Sequence, residues 1–247
     1  MAFVIRQNDG KTVMEKKEIT YNRCYANNDK VVDKFTNDQW KGNPCFIIGG
    51  GESLKGFDFS LLKDRKTIGV NRAFEVFDAD VLYFMDCPFY REIIDGKMDT
   101  FTQSNIKDRW KMFPGIKVSL TPMNSSIFEK GVYVIRRLEE KKISRDLHTG
   151  MYGGNNSGTG ALMLAAILGA SPIYLLGFDF KIKESTHWHS GYPHTNKESL
   201  SSRFISYRKN LVEVAPLFEK AYIKVVNLNP DSSLRCFEFD TVERVLG

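Results

Sequence analysis

Residues 45–54 read CFIIGGGESL: four apolar residues run into three glycines, a carboxylate and a serine. An apolar run ending this way reads as a buried strand feeding a sharp turn. Glycine lets the backbone bend and lets another group approach with no Cβ in the way. Outward from it, further β-rich runs stand at KTIGV (66–70), DVLYFMD (80–86), IKVSL (116–120), VYVIRR (132–137), PIYLLGF (172–178) and AYIKVVNL (221–228). Helical patterns lie between several of them, notably over 158–168 and 200–220. Strands alternating with helices imply βαβ units, and nearly continuous apolar strands imply a sheet covered on both faces. The expected fold is α/β and Rossmann-like, a mainly parallel sheet with helices on both faces, plus an N-terminal extension. Residues 1–42 read as that extension, part helical, polar, with short apolar islands such as VVDKF (31–35). Residues 43–247 form the expected main domain.

Composition sets bounds. Of 247 residues, 42% are hydrophobic and 26% charged, which is globular rather than disordered, and 18 Phe with 10 Tyr supply a core easily. The net charge of +5 suits an anionic substrate or nucleic acid, yet no Lys/Arg block is dense enough to demand either. Cys24, Cys45, Cys87 and Cys236 are scattered without paired spacing and read as reduced thiols. The opening MAFVIRQNDGKTVMEKKE turns polar after five residues, unlike a signal peptide. The most apolar region, 161–180, is interrupted by Gly169, Ser171, Pro172 and Asp179, so it reads as a buried helix and strand, not a membrane span. A soluble cytoplasmic protein with no membrane contact is expected.

In an open parallel sheet, ligands gather beyond the carboxyl ends of the strands. After the first strand come Gly49, Gly50, Gly51 and Ser53, whose backbone could receive an anion. The G-x-G-x-x-G spacing fails at Leu54 and no G-K-[ST] follows, so neither phosphate motif applies; close strand–loop packing would also explain the glycines. Asn71 ends the second strand and suits a base, ribose or sugar hydroxyl. Asp86 ends the third, where it could hold magnesium or a ribose hydroxyl, or cap the next turn.

The stretch GGNNSGTGALMLAAILG (153–169) offers Asn156, Ser157, Gly158 and Thr159 at the start of a helix apolar on all sides, with Ser157 as N-cap or first-turn residue. Gly158 and Gly160 equally suit close packing of that helix on the sheet. Gly177 and Asp179 leave the LLGFDF strand (175–180) at the same edge. The chain then enters a loop carrying His187, His189 and His194. Three histidines in one polar loop point to acid/base chemistry, in preference to metal binding through H-x-H-x4-H or to surface residues without a role. Asn227, Asn229, Ser232 and Ser233 follow the last strand and are expected on the same rim. Tyr207 and Arg208 read as surface residues of an amphipathic helix.

These motifs in order, FIIGGGESLKGFDFSLLKDRKTIGVNRAFEV (46–76) and NNSGTGALMLAAILGASPIYLLGFDF (155–180), resemble the bacterial sialyltransferases of glycosyltransferase family 42. The same features are similar to archaeal 6-hydroxymethylpterin diphosphokinases and to phage-encoded proteins of uncertain role, with THWHSGY (186–192) closest to the phage group. The resemblance implies a nucleotide-using transferase in which Gly49, Gly51, Ser53, Asn71, Ser157 and Gly158 contact the nucleotide and His187 or His189 activates the acceptor. Gly50, Asn156, Thr159 and Gly177 join the nucleotide-facing set, and Asp179 the catalytic one. Two departures stand out: the family's loop asparagine is Gly50 here and its loop proline is Glu52, which removes a nucleotide contact and adds a negative charge.

The expected activity is transfer of a sugar from a nucleotide-activated donor to a hydroxyl or amine, with no cofactor and a histidine base. The acceptor is open, and a modified DNA base fits a phage context, with the host cytoplasm as location. A homo-oligomer is compatible. One alternative is magnesium-dependent phosphoryl or pyrophosphoryl transfer using Asp86 or Asp179; another is a catalytically silent protein that binds nucleotide or nucleic acid.

Overall fold

The computed structural model describes residues 28–96, 105–120, 128–182, 187 and 197–247, with the backbone of two strands at 3–8 and 11–16. Those two, β1 (Phe3–Asn8) and β2 (Lys11–Lys16), form an antiparallel hairpin. The main sheet begins at β3 (Cys45–Ile48) and continues through β4 (Lys66–Val70), β5 (Val81–Phe84), β6 (Ile116–Leu120) and β7 (Val132–Ile135). A small parallel pair follows, β8 (Arg137–Leu138) with β9 (Met151–Tyr152). The main sheet resumes with β10 (Ile173–Leu176), β11 (Val225–Asn227) and β12 (Glu238–Phe239). The helices are α1 (Cys87–Ile94), α2 (Ile106–Met112), α3 (Ser157–Ile167), α4 (Lys197–Lys220) and α5 (Val242–Leu246).

The sheet order is β12-β11-β10-β3-β4-β5-β6-β7, and every neighbouring pair is parallel. Each of the seven runs read as strands contributes one. Only the two-residue β12 was not expected, being too short to show a pattern. The chain winds outward from β3 to β7, then returns to the other side of β3. Right-handed crossovers in opposite directions place their connections on opposite faces. The core is divided accordingly. Cys45, Ile47, Ile68, Val81, Tyr83 and Leu175 point to the face covered by α3 and α4. On the reverse face, Leu82 and Phe84 pack with Phe89 of α1 and Trp110 of α2. There too, Phe46 and Ile48 pack with Leu54 and Leu62 from the turns after β3.

The helix α3 is buried all round, with Leu162, Met163 and Leu164 at most 1% exposed. Burying each such side chain contributes about 1.5–3 kcal/mol, more than its helix propensity. Gly169, at φ +81°, ends the helix. Residues 28–42 complete it from outside: the Asp38 and Trp40 amides donate to the Ile167 and Leu168 carbonyls, and Val31, Phe35 and Trp40 enter the α3-side core. Where part-helical structure was expected before residue 43, the described residues show the hairpin and one 3-10 turn (Val31–Asp33). Among the described residues no helix is long and apolar enough to cross a membrane.

Candidate active site

The strand order reverses between β3 and β10, the place where an open sheet makes a crevice beyond its strand ends. A cavity of about 600 Å³ opens there. Gly49, Gly50, Gly51 and Gly177 form its floor, while Asn71 and Asp86 enter from the ends of β4 and β5. The turn into α3 and the His187 side chain form the walls, with Phe204 and Tyr207 from α4.

The floor is an extension of the β3–β10 ladder. Gly49 N–H donates to Leu176 O and Gly51 N–H to Gly177 O, both at 2.8 Å. A Cβ on Gly49 would lie 2.8 Å from Gly177 O, and one on Gly51 would lie 2.4 Å from Asp179 Cγ. Close approach of the β10 exit therefore explains two of the three glycines. Gly50 differs, since its Cβ would meet His187 Cδ2 at 3.1 Å on the cavity side.

Asp179 is 5% exposed. Its Oδ2 accepts from the Ser53 amide at 2.7 Å; its Oδ1 accepts from the Ser53 hydroxyl at 2.6 Å and from Asn229 Nδ2 at 2.8 Å. Ser53 thus turns toward Asp179 and does not line the cavity. The cluster after β11 is also turned away from the ligand rim where it was expected. Asn227 Nδ2 and Ser232 Oγ donate to Phe178 O at 3.3 and 2.6 Å. The reason is backbone accounting: Phe178 leaves the ladder while buried, and its carbonyl needs donors.

Asn71 has φ +51°, a left-handed conformation that asparagine tolerates better than most residues. Its Oδ1 is buried with no hydrogen-bond partner among the described residues, and the residue lines the cavity. An unmet acceptor in a strained backbone position makes Asn71 a candidate for contact with a ligand. Asn71→Gly is therefore expected to leave unfolding free energy unchanged or raise it by about 1 kcal/mol while removing ligand affinity. Asn71→Ala is expected to lose about 1 kcal/mol as well. Chemical denaturation beside ligand titration checks both.

The N-cap of α3 is Asn156, with Ser157 as its first helical residue. Asn156 Oδ1 accepts from the Thr159 amide and its Nδ2 donates to Thr159 Oγ1, both at 2.9 Å. Thr159 is 0% exposed, so it serves the cap and does not reach the cavity. The Ser157 and Gly158 amides have no hydrogen-bond partner among the described residues, and both residues line the cavity. Asn155 ties this turn to α4 through Ser206, its Nδ2 donating to Oγ at 3.0 Å.

Burial, reinforced by the Arg203 and Arg72 guanidiniums, pushes the His187 imidazole down to about 4, so it is neutral at pH 7. His189 and His194 lie outside the described residues. Asp86 occupies the N-cap position of α1. Burial lifts its carboxyl above the usual range, opposed by the Phe89 amide and Arg203. Among the described residues no three His, Cys, Asp or Glu side chains converge. With both Asp179 oxygens engaged, Asp86 is the remaining carboxylate among the described residues that line the cavity, a thin donor set for magnesium. Tyr207, read from sequence as a surface residue, lines the cavity; Arg208 points elsewhere and donates to Ser233 O at 3.5 Å. Arg137, Phe180 and Phe204 were not anticipated. Arg137 closes the run VYVIRR, and the strand-end rule applied there would have found it.

No protein-family profile matches the chain, and no curated protein matches it in sequence. Among solved structures, the MAf glycosyltransferase from Magnetospirillum magneticum AMB-1 aligns with 92% of this chain at TM-score 0.55 and 13% identity. The chain spans 38% of that protein's length. The sialyltransferase CST-II in complex with a trisaccharide acceptor and CMP aligns at TM-score 0.40 and 18% identity, over 79% of this chain and 84% of its own. CstII from Campylobacter jejuni with CMP-3FNeuAc aligns at TM-score 0.40 and 16% identity, over 80% and 85%. The first likeness shows a fold shared with a glycosyltransferase; at 0.40 the other two add nothing to it.

Proposed function

We propose that the chain is a glycosyltransferase-like enzyme that moves a sugar from a nucleotide-activated donor to a hydroxyl or amine. One observation carries the reading: Asn71 with its unmet acceptor, Ser157 and Gly158 at the start of α3, and a neutral His187 all line a single cavity at the switch point of the sheet. The amides and the helix dipole of α3 receive the donor's phosphate. Asn71 accepts from a donor hydroxyl. The acceptor attacks the anomeric carbon, the bond from that carbon to phosphate breaks, and the acceptor proton passes to His187. Asp179 positions the glycine floor and takes no proton. The likeness to a glycosyltransferase fold is consistent with this, and so is the family 42 resemblance, which implies His187 or His189 as the base. Magnesium-dependent phosphoryl transfer is disfavoured because Asp179 has its oxygens engaged.

A thermal-shift panel of CMP, UDP, GDP, ADP, ATP and their sugar conjugates, with and without magnesium, tests the reading. Stabilisation by a monophosphate or nucleotide sugar without metal supports it. A response only to triphosphate with magnesium replaces it with the kinase alternative, and no response to any of them removes it.

His187 supplies a pH test. Its folded value, about 4, lies below the ordinary 6.5, so the unfolded chain binds more protons between these limits. Stability is therefore full above pH 6.5 and falls by about 2 kcal/mol on acidification toward pH 4, once partial solvent contact is allowed for. A phosphate entering the cavity offsets Arg203 and Arg72 and raises the imidazole toward its ordinary range, where it is a better base. Nucleotide binding is then expected to take up a proton near pH 5 and to tighten as pH falls through that window. NMR titration of the His187 ring, free and with nucleotide, reads the shift; an identical midpoint in both states would remove His187 from the ligand's neighbourhood.

A further inference from the structure

Resting on that reading, we infer that Arg137 recognises the phosphate charge of the donor, so that selection for a phosphorylated ligand resides in one guanidinium on the cavity wall. Arg137 opens β8, two residues beyond the end of β7, and its side chain is 18% exposed in the cavity lining. Its Nη2 donates to Gly154 O at 2.9 Å. That carbonyl belongs to the turn leading into α3, three residues before the first cavity-facing amide. The turn itself is fixed. Gly154 has φ +66°, and a Cβ there would lie 2.3 Å from Asn210 Oδ1. The guanidinium is therefore anchored to the turn that leads into the Ser157 and Gly158 amides, a rigid piece of backbone, and all three residues line the same cavity.

Among the described residues lining the cavity, Lys181 is another cation. Lys181 Nζ is 2.7 Å from the Asp231 carboxylate, whose side chain is 61% exposed. Arg137 Nε lies 3.7 Å from Glu139 Oε1, on a side chain that is 56% exposed. Arginine carries five N–H donors in one plane, so anchoring through Nη2 is compatible with a two-point grip on phosphate oxygens. A lysine cannot reproduce that plane. The donor's leaving group carries its charge on phosphate before and after transfer. A fixed cation there favours binding and also steadies the charge that grows as the sugar departs.

Calorimetric titration of wild type, Arg137→Met and Arg137→Lys with CMP, UMP, AMP and GMP, and with the four matching nucleosides, tests this. Wild type is expected to bind at least one monophosphate about 10- to 100-fold more tightly than its nucleoside. Arg137→Met is expected to erase that gap with nucleoside affinity unchanged, and Arg137→Lys to retain part of it. An unchanged gap in Arg137→Met overturns the inference. So does an equal loss for nucleoside and nucleotide, which would make Arg137 only a support of the Gly154 turn. If the methionine variant does not fold, the lysine variant decides: a narrowed gap supports the assignment and an unchanged gap overturns it. Inorganic pyrophosphate separates this inference from the reading it rests on. If wild type binds pyrophosphate but no nucleotide, and Arg137→Met abolishes that binding, the anion assignment stands and the nucleotide reading falls. If pyrophosphate also fails to bind, both fall.

Discussion

Asp179→Ala is expected to lower the unfolding free energy by about 3–5 kcal/mol and to abolish binding in the cavity. The carboxylate is 5% exposed and accepts three hydrogen bonds, two from Ser53 and one from Asn229. Truncation leaves three donors without an acceptor in a space that water barely reaches. Each such loss costs about 1–3 kcal/mol, and because the three share one partner they do not simply add. The clamp also spans the sheet: Ser53 follows β3, Asp179 follows β10 and Asn229 follows β11. Without it the glycine floor is no longer pressed against the β10 exit. Ser53→Ala removes only the hydroxyl bond and is expected to cost about 1 kcal/mol. Asp179→Asn keeps one acceptor oxygen but turns an NH2 group on a donor, so about 2–3 kcal/mol is expected. Urea denaturation with ligand titration measures each. If Asp179→Asn unfolds with wild type yet loses turnover completely, the carboxylate takes part in the chemistry and is not a clamp.

The sheet was readable because its strands are apolar on both faces. CFII and PIYLL, with the more mixed KTIGV and IKVSL, are short runs of the kind a doubly covered parallel sheet accommodates, and the Gly169 stop marked the end of α3. The strand-end rule then located Asn71, Asp86, Gly177 and the start of α3 on one rim. It could not sort residues facing the cavity from those facing each other. Ser53 and Asn71 look alike in sequence, both small and polar just past a strand. Ser53 bonds to a carboxylate 126 positions away, whereas Asn71 keeps a buried acceptor without a partner. Likewise the polar run after β11 is held by Phe178 O and Asp179, a demand set by where β10 leaves the ladder. Long-range pairing of this kind leaves no periodicity in the chain. Arg137 was within reach of the strand-end rule, since it closes a strand-like run, but its bond to Gly154 depends on the small β8–β9 pair, which is too short to show a pattern.

Gly160→Ala should destabilise the protein by about 2–4 kcal/mol, although local propensity argues the other way. In a helix interior alanine is favoured over glycine by about 1 kcal/mol. Against that, a Cβ on Gly160 would lie 2.1 Å from Tyr83 Oη and 2.5 Å from its Cε1 and Cζ, where carbon contacts prefer 3.5 Å or more. Tyr83 is 0% exposed in the middle of the sheet, so the ring has nowhere to turn. The helix must move by roughly an ångström, and close-packed interiors resist that strongly. Steric overlap therefore exceeds propensity. Shortening the obstacle should reveal the coupling: added to Tyr83→Leu, the same Gly160→Ala change should cost at least about 1 kcal/mol less than it does alone. Tyr83→Phe should give less relief, because it removes the Oη contact but leaves the ring carbons at 2.5 Å. The displacement also matters for the site, since the Ser157 and Gly158 amides belong to the same helical turn and move with it. Nucleotide affinity should fall with stability in Gly160→Ala and recover with it in the double variant. If Gly160→Ala instead melts above wild type, propensity has won, and contact with Tyr83 is not what holds those amides at the cavity.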